Sequence, residues 1–92
     1  MIKSFKHKEL KNLFLNNDHT PVNPEHVPRI ARILDRLDVS TNPQDMNLPG
    51  YKWHELSGKE KGTWSVWVNG NRRIAFQFDG TDAVLVDYRD YH

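Results

Sequence analysis

Histidine is the side chain best suited to giving and taking a proton near neutral pH. This chain of 92 residues has five: His7, His19, His26, His54 and His92. Their separations follow no recurring metal-ligand spacing, so neither a structural nor a catalytic metal is expected. Cysteine is absent, which excludes disulfides, thiolate nucleophiles and thiolate metal sites. There is no phosphate-binding loop and no dinucleotide fingerprint, and no cofactor is expected. What remains is proton transfer by imidazole, open to any of the five histidines, and recognition of a phosphate by the rigid fork of an arginine. The chain closes on Asp90-Tyr91-His92, a carboxylate, a phenol and an imidazole in succession.

The elements that must position these groups divide near residue 50, with helix formers before it and the Trp, Tyr, Val and Phe of strands after it. Residues 1–5 read as a short edge strand and residues 6–16 as a helix, with Leu10, Leu13 and Phe14 at helical spacing and Asn16-Asn17-Asp18 as its stop. Thr20 to Pro24 reads as loop. Val27, Ile30, Ala31, Leu34 and Leu37 form the apolar stripe of a second helix. Asn23-Pro24-Glu25 resembles an N-cap followed by proline, whereas Pro28 cannot donate to the carbonyl of residue 24. The preferred reading is a helix from Pro24 with a distorted first turn; the alternative is a regular start at Pro28. Residues 40–50 are irregular, with Met46 and Leu48 plugging the edge of the core.

Four strands follow: Tyr51 to Leu56, Thr63 to Val68, Arg72 to Phe78 and Ala83 to Tyr88. Asn69-Gly70 is a hairpin signal, and Asp79-Gly80-Thr81-Asp82 is a second turn. Alternation places Trp64, Val66 and Val68 on one face and Ser65 and Trp67 on the other; Ile74, Phe76 and Phe78 oppose Arg73, Ala75 and Gln77; Val84 and Val86 oppose Leu85 and Asp87. Trp64 reads as core, and Trp53 and Trp67 as core under a helix or as part of a partner surface. The fold class is α+β, two N-terminal helices packed on one face of a mainly antiparallel sheet of four to five strands. Residues 1–92 are expected to form a single domain.

Thirteen Lys and Arg against twelve Asp and Glu give a formal net charge of +1, so any grip on nucleic acid must come from local rather than global charge. The N-terminus carries no apolar run behind its charges, and nothing approaches the length needed to span a bilayer. A cytoplasmic location without membrane contact is the expectation.

The run Trp64-Ser65-Val66-Trp67-Val68-Asn69-Gly70-Asn71-Arg72-Arg73-Ile74-Ala75-Phe76 resembles the HigB family of plasmid-maintenance toxins, within the RelE superfamily. The ending Val86-Asp87-Tyr88-Arg89-Asp90-Tyr91-His92 resembles the terminus of that family. Ile2-Lys3-Ser4-Phe5, and Leu48-Pro49-Gly50 leading into a strand with a histidine, also fit, so the resemblance covers essentially the whole chain. It implies a RelE-like fold and ribosome-dependent endonucleolytic cleavage of mRNA, with growth arrest. It also implies neutralisation by a HigA-like helix-turn-helix antitoxin, whose complex with the toxin represses their own operon. DNA would then be met only through the antitoxin, and the ribosome would be engaged at its small subunit.

The same resemblance implies a catalytic set of His54, Arg73, Asp90, Tyr91 and His92. Members reading H-P-L-K-G carry a lysine where this chain, in His54-Glu55-Leu56-Ser57-Gly58-Lys59, has Ser57. Either Lys59 reaches in from the loop, or Ser57 hydrogen-bonds a phosphate or water. RNA brings its own nucleophile, the 2′-hydroxyl. Such a set can remove its proton, stabilise charge on the phosphorane and protonate the 5′-oxygen without a metal. His92 is favoured near the 2′-hydroxyl, with the base and acid assignments among His54, Asp90 and His92 open. Tyr91 would stack on a splayed base or position the backbone. Lys52 and Lys59 would hold flanking phosphates. Lys6, Arg29 and Arg32, with Lys3, Lys8, Lys11 and Arg36, are candidates for ribosomal RNA. Two other readings stay open: a catalytically weak, antitoxin-binding co-regulator of the same fold, and an unrelated α+β module that binds RNA without cutting it.

Overall fold

The first helix, α1, is Lys8–Asn16. It begins where the His7 ring nitrogen Nδ1 accepts a hydrogen bond from the Leu10 N–H at 3.2 Å, so a histidine does the capping usually done by a hydroxyl or carboxamide. It ends at Asn17, whose left-handed backbone (φ +54°) asparagine tolerates better than most side chains. These observations come from a computed structural model that describes residues 1–19 and 22–90.

The second helix, α2, is Val27–Val39. The expected start at Pro24 is corrected by the structure. Asn23 to His26 form a separate turn, in which the Asn23 side chain accepts from the Glu25 N–H at 3.0 Å and its carbonyl from the His26 N–H at 2.9 Å. Pro28 then falls in the first helical turn, where its missing N–H costs nothing. The buried stripe is Val27, Ile30, Ile33, Leu34 and Leu37; Ile33 takes the place expected of Ala31, which is only half-buried. A short 3-10 turn at Pro43–Met46 drops Met46 into the core, fully buried, with Leu48 half-buried behind it.

Strands β1 (His54–Glu55), β2 (Trp64–Asn69), β3 (Arg72–Asp79) and β4 (Asp82–Asp90) form one antiparallel sheet in the order β1-β2-β3-β4. The chain is therefore α+β, two N-terminal helices against a four-stranded sheet. β1 is shorter than expected because Gly50 (φ +82°) and Lys52 (φ +48°) bend the backbone ahead of it. The N-terminal residues run parallel to β4 and cover its edge through isolated bridges at Ile2 and Phe5, with Lys3 N–H on the Ala83 carbonyl and Lys6 N–H on that of Val86, both at 2.8 Å.

One irregularity matters for function. Ala75 pairs with Asp87 but Gln77 pairs with Val84, so Phe76 faces one residue too many. The extra residue is Leu85, held left-handed (φ +54°), with its N–H on the Ser4 hydroxyl at 2.8 Å. The expected inward pair Val84 and Val86 becomes Ala83 and Val86, because the bulge resets the alternation. Val66, Val68, Ile74, Phe76 and Val86 meet Leu10, Ile30, Ile33, Leu34, Leu37 and Met46 in one buried cluster. Each large side chain so buried contributes about 1.5–3 kcal/mol. Trp64 packs against the rim of this cluster, stacked on Trp53 with ring centroids 4.5 Å apart. Among the described residues, no helix is long and apolar enough to cross a membrane.

Candidate active site

The face of the sheet turned away from the helices is assembled by register. His54 pairs with Ser65, Ser65 with Ala75 and Ala75 with Asp87, giving one row across all four strands. The next row is Trp67, Arg73 and Arg89. Side chains in these rows share the outer face because alternate residues of a strand point the same way. The bulge at Leu85 is what gives Asp87 and Arg89 that orientation. Ala75, nearly fully buried, leaves a low point within the first row.

Arg73 reaches from the second row toward Ser65 and His54 in the first. Its Nε donates to the Ser65 hydroxyl at 2.8 Å, and Ser65 is fully buried beneath it. Its Nη2 donates to the Lys52 carbonyl at 2.5 Å and approaches His54 Nδ1 at 3.1 Å. A guanidinium has only donors, so His54 Nδ1 can only accept in that contact. His54 Nδ1 also lies 3.3 Å from the Lys52 carbonyl, so it faces a donor and an acceptor, and which of the two it bonds follows the tautomer of the ring. The left-handed backbone of Lys52 turns its carbonyl toward this pair.

Beside Arg73 stands Arg89, its register partner, held by two carboxylates: Nη1 on Glu60 at 2.6 Å and Nε on Asp87 at 3.0 Å. These carboxylates offset the repulsion of two guanidiniums on neighbouring strands. The resulting surface offers a fixed guanidinium and an oriented imidazole, the groups needed to grip a phosphate and donate a hydrogen bond to it.

Asp90 is placed elsewhere. It pairs with Arg72, the two charged groups 3.8 Å apart, on the helix side of the sheet. It lines a cleft of about 290 Å³ with His26, Asn69, Gly70, Asn71 and Arg72. There the Tyr88 hydroxyl lies 3.3 Å from His26 Nδ1. Burial pushes the Tyr88 phenol up from its ordinary value, with the nearby Arg72 charge working against that rise. Tyr91 and His92 lie outside the described residues.

Of the expected cationic contacts, the exposed Lys52 places its ammonium 4.4 Å from the centre of the Trp67 ring. Ser57 and Lys59 are exposed on a 3-10 turn at Gly58–Glu60 and its cap, and neither hydrogen-bonds His54 or Arg73. Lys3, Lys6, Lys8, Lys11 and Arg32 are exposed. Arg29 is engaged internally, donating to the carbonyls of Trp67 (3.1 Å) and Gly50 (2.8 Å) between the rings of Tyr51 and Trp67. Arg36 donates to the Asp45 carbonyl at 3.2 Å.

The structure thus joins His54, Arg73 and Lys52, and leaves Asp90 on the opposite side of the sheet. Sequence reasoning overlooked Ser65, Asp87, Arg89 and Glu60. Ser65 was legible as an outward residue facing the partner strand of Arg73. Asp87 was legible as the residue facing away from Val86, and continued alternation carries Arg89 to the same face, whereas Glu60 comes from a turn with no periodicity to read. Among the described residues, no cluster of three metal-capable side chains forms.

A family model described as the RelE-like toxin HigB of type II toxin–antitoxin systems matches residues 3–92. Among curated proteins, the chain is 45% identical over 92 residues to one named endoribonuclease HigB from Proteus vulgaris, and the alignment covers the whole of both chains.

Proposed function

Because this chain belongs to the HigB-like family of RelE-like toxins of type II toxin–antitoxin systems, we propose that it is an endoribonuclease that cuts mRNA on the ribosome with the outer-face pair Arg73 and His54. The observation that carries this reading is the Arg73 guanidinium, held over the buried Ser65 hydroxyl and 3.1 Å from His54. The curated relative bears the name of an endoribonuclease.

The scissile phosphate binds against the Arg73 fork, whose other hydrogen bonds keep it from having to reorganise during reaction. The substrate's 2′-oxygen forms a bond to phosphorus as the bond to the 5′-oxygen breaks, leaving a 2′,3′-cyclic phosphate and a 5′-hydroxyl. The proton of the 2′-hydroxyl goes to a base, and the 5′-oxygen receives one from an acid. His54, 3.1 Å from the Arg73 guanidinium, is placed to give its proton to the 5′-oxygen as the acid. The base is then His92, the residue the family resemblance favours, with Asp90 orienting that terminal segment and Tyr91 stacking on a base. The nucleophile comes with the substrate, so the step needs no metal.

A net charge of +1 supports little unaided affinity for RNA. It suits an enzyme whose substrate is presented by the ribosome, at the small subunit in the cytoplasm. The partner that silences it is a HigA-like helix-turn-helix antitoxin, and operator DNA is reached only through that partner. Ser57 in place of a family lysine favours a second reading, a catalytically weak co-regulator that retains antitoxin binding.

Primer extension on mRNA in a translating extract separates the two. The enzyme reading expects cuts with the wild-type chain and none with Arg73→Ala, while antitoxin capture persists in both. Intact mRNA on active ribosomes would leave the co-regulator.

A further inference from the structure

Among the described residues, Trp67 is the large aromatic of the outer face that pairs directly with Arg73, and the catalytic reading gives it no role. Every hydrogen-bonding group it has is in use. Its backbone N–H donates to the Tyr51 carbonyl at 2.6 Å, its carbonyl accepts from Arg29 Nε at 3.1 Å, and its indole Nε1 donates to the Gly70 carbonyl at 2.9 Å. The ring is therefore fixed edge and root, and half-buried rather than packed into the core. Its distance from the phosphate position is set by the strand. Trp67 lies two residues along β2 from Ser65, over which the guanidinium rests, a separation of roughly 6.5–7 Å.

Over this ring sits the ammonium of Lys52, 4.4 Å from its centre. Lys52 joins the two places: its carbonyl receives Arg73 and its side chain covers Trp67. The side chain is exposed and flexible, so it can leave the ring at small cost, and base–aromatic stacking is stronger than a solvent-exposed cation–π contact. A displaced ammonium beside a stacked nucleotide meets that nucleotide's phosphate.

We propose that Trp67 and Lys52 form a nucleobase subsite beside the scissile phosphate, in which the indole stacks on the base adjacent to the cut and Lys52 swings from the ring to the phosphate of that nucleotide. The ligand class is a single-stranded RNA base. The subsite makes the chain selective through stacking strength at one position next to the cut. This inference rests on the endoribonuclease reading, and its test is arranged so that the two can fail separately.

Two measurements decide it. In a translating extract, cut sites are mapped for the wild-type chain, Trp67→Ala and Trp67→Phe, with thermal melting used to confirm that each variant folds. Trp67→Ala is expected to lose about tenfold in cutting at the sites the wild type favours and to shift the base preference beside the cut, with Trp67→Phe restoring much of both. An unchanged cut-site spectrum at an unchanged rate in Trp67→Ala overturns the subsite while leaving the endoribonuclease standing. The same overturning follows if Trp67→Ala loses antitoxin capture instead, since the ring is then a protein-docking residue.

In the second measurement, purified wild type and Trp67→Phe are titrated with uncleavable 2′-O-methyl RNA trinucleotides while tryptophan fluorescence is followed. Quenching in the wild type that disappears in Trp67→Phe, where Trp53 and Trp64 remain, supports the subsite. Equal quenching in both, or none in either, overturns it. If the wild type cuts no mRNA, the catalytic reading has failed and the fluorescence result alone decides the subsite.

Discussion

Replacing Arg73 by lysine keeps the positive charge and removes the fork. In the structure one guanidinium reaches the Ser65 hydroxyl through Nε and both the Lys52 carbonyl and His54 Nδ1 through Nη2. A single ammonium cannot span these partners and a phosphate together, so at least one charge-assisted hydrogen bond is lost, worth about 1.5–3 kcal/mol. For stability, part of that is recovered because the Ser65 hydroxyl can rotate to another partner. The expected net cost is about 1 kcal/mol, a melting shift of about 4–8 °C for a chain of this size. For catalysis, the lost group is a preorganised donor at the phosphate, and its removal costs about 10²–10³-fold in cutting rate. His54 also loses its contact with the guanidinium. Single-turnover cutting on stalled ribosomes, beside thermal melts of the same preparations, reads both numbers. Ser65→Ala alone is expected to lower the rate less, and Ser65→Ala combined with Arg73→Lys to fall little below Arg73→Lys, since the serine acts through the arginine. An Arg73→Lys variant cutting within a few-fold of wild type would refute the reasoning, as would full additivity with Ser65→Ala.

Three further outcomes follow from the fold. The Tyr88 phenol, raised chiefly by burial, makes a contribution to stability that is present below the ordinary tyrosine pKa and lost as pH rises through its own raised value. In an ultraviolet titration of the three tyrosines, Tyr88 should ionise late, and Tyr88→Phe should remove that late phase. Asp45 accepts the Thr41 N–H at 2.9 Å, and that bond leads the causes lowering its pKa. Its contribution is complete above the ordinary aspartate range and is lost as pH falls below that range, so Asp45→Asn should flatten part of the acid limb of a denaturation profile. Leu85, exposed and left-handed at the bulge, should gain from Leu85→Gly: relief of about 1–2 kcal/mol of backbone strain outweighs the added freedom of glycine in the unfolded chain, about 0.5–1 kcal/mol. A higher melting temperature with the cut pattern retained is the expected outcome.

The helices and the β2–β3 hairpin were legible because local rules govern them. Leu10, Leu13, Ile30, Leu34 and Leu37 keep helical spacing, and Asn69-Gly70 sits at a turn whose glycine has φ +53°. The start of α2 was not, since Pro24 and Pro28 are each acceptable at a first turn and only the hydrogen bonds of Asn23 choose between them. The inward set of β4 escaped for a different reason. A bulge has no composition of its own, and the Ser4 hydroxyl that supports this one lies at the far end of the chain. At the site, Arg73 and His54 were both named in advance, and so was the outward direction of Ser65. What alternation could not supply was the ion pair of Arg89 with Glu60, which comes from a turn, or the position of Asp90 beside Arg72, which depends on the register between β3 and β4. The cationic residues of the helices show the same limit: Arg29 and Arg32 lie three residues apart on α2, yet one is clamped between two rings and the other is exposed.

The central claim is that the RNA is cut by its own ribose hydroxyl, with the phosphate held at Arg73. It is tested most directly by an mRNA with a single 2′-deoxynucleotide on the 5′ side of a mapped cut, translated in the presence of the wild-type chain. Loss of cutting at that one bond, with neighbouring sites still cut and the remaining fragments bearing 5′-hydroxyl and cyclic phosphate ends, is the predicted result. Undiminished cutting at the deoxy position would contradict it.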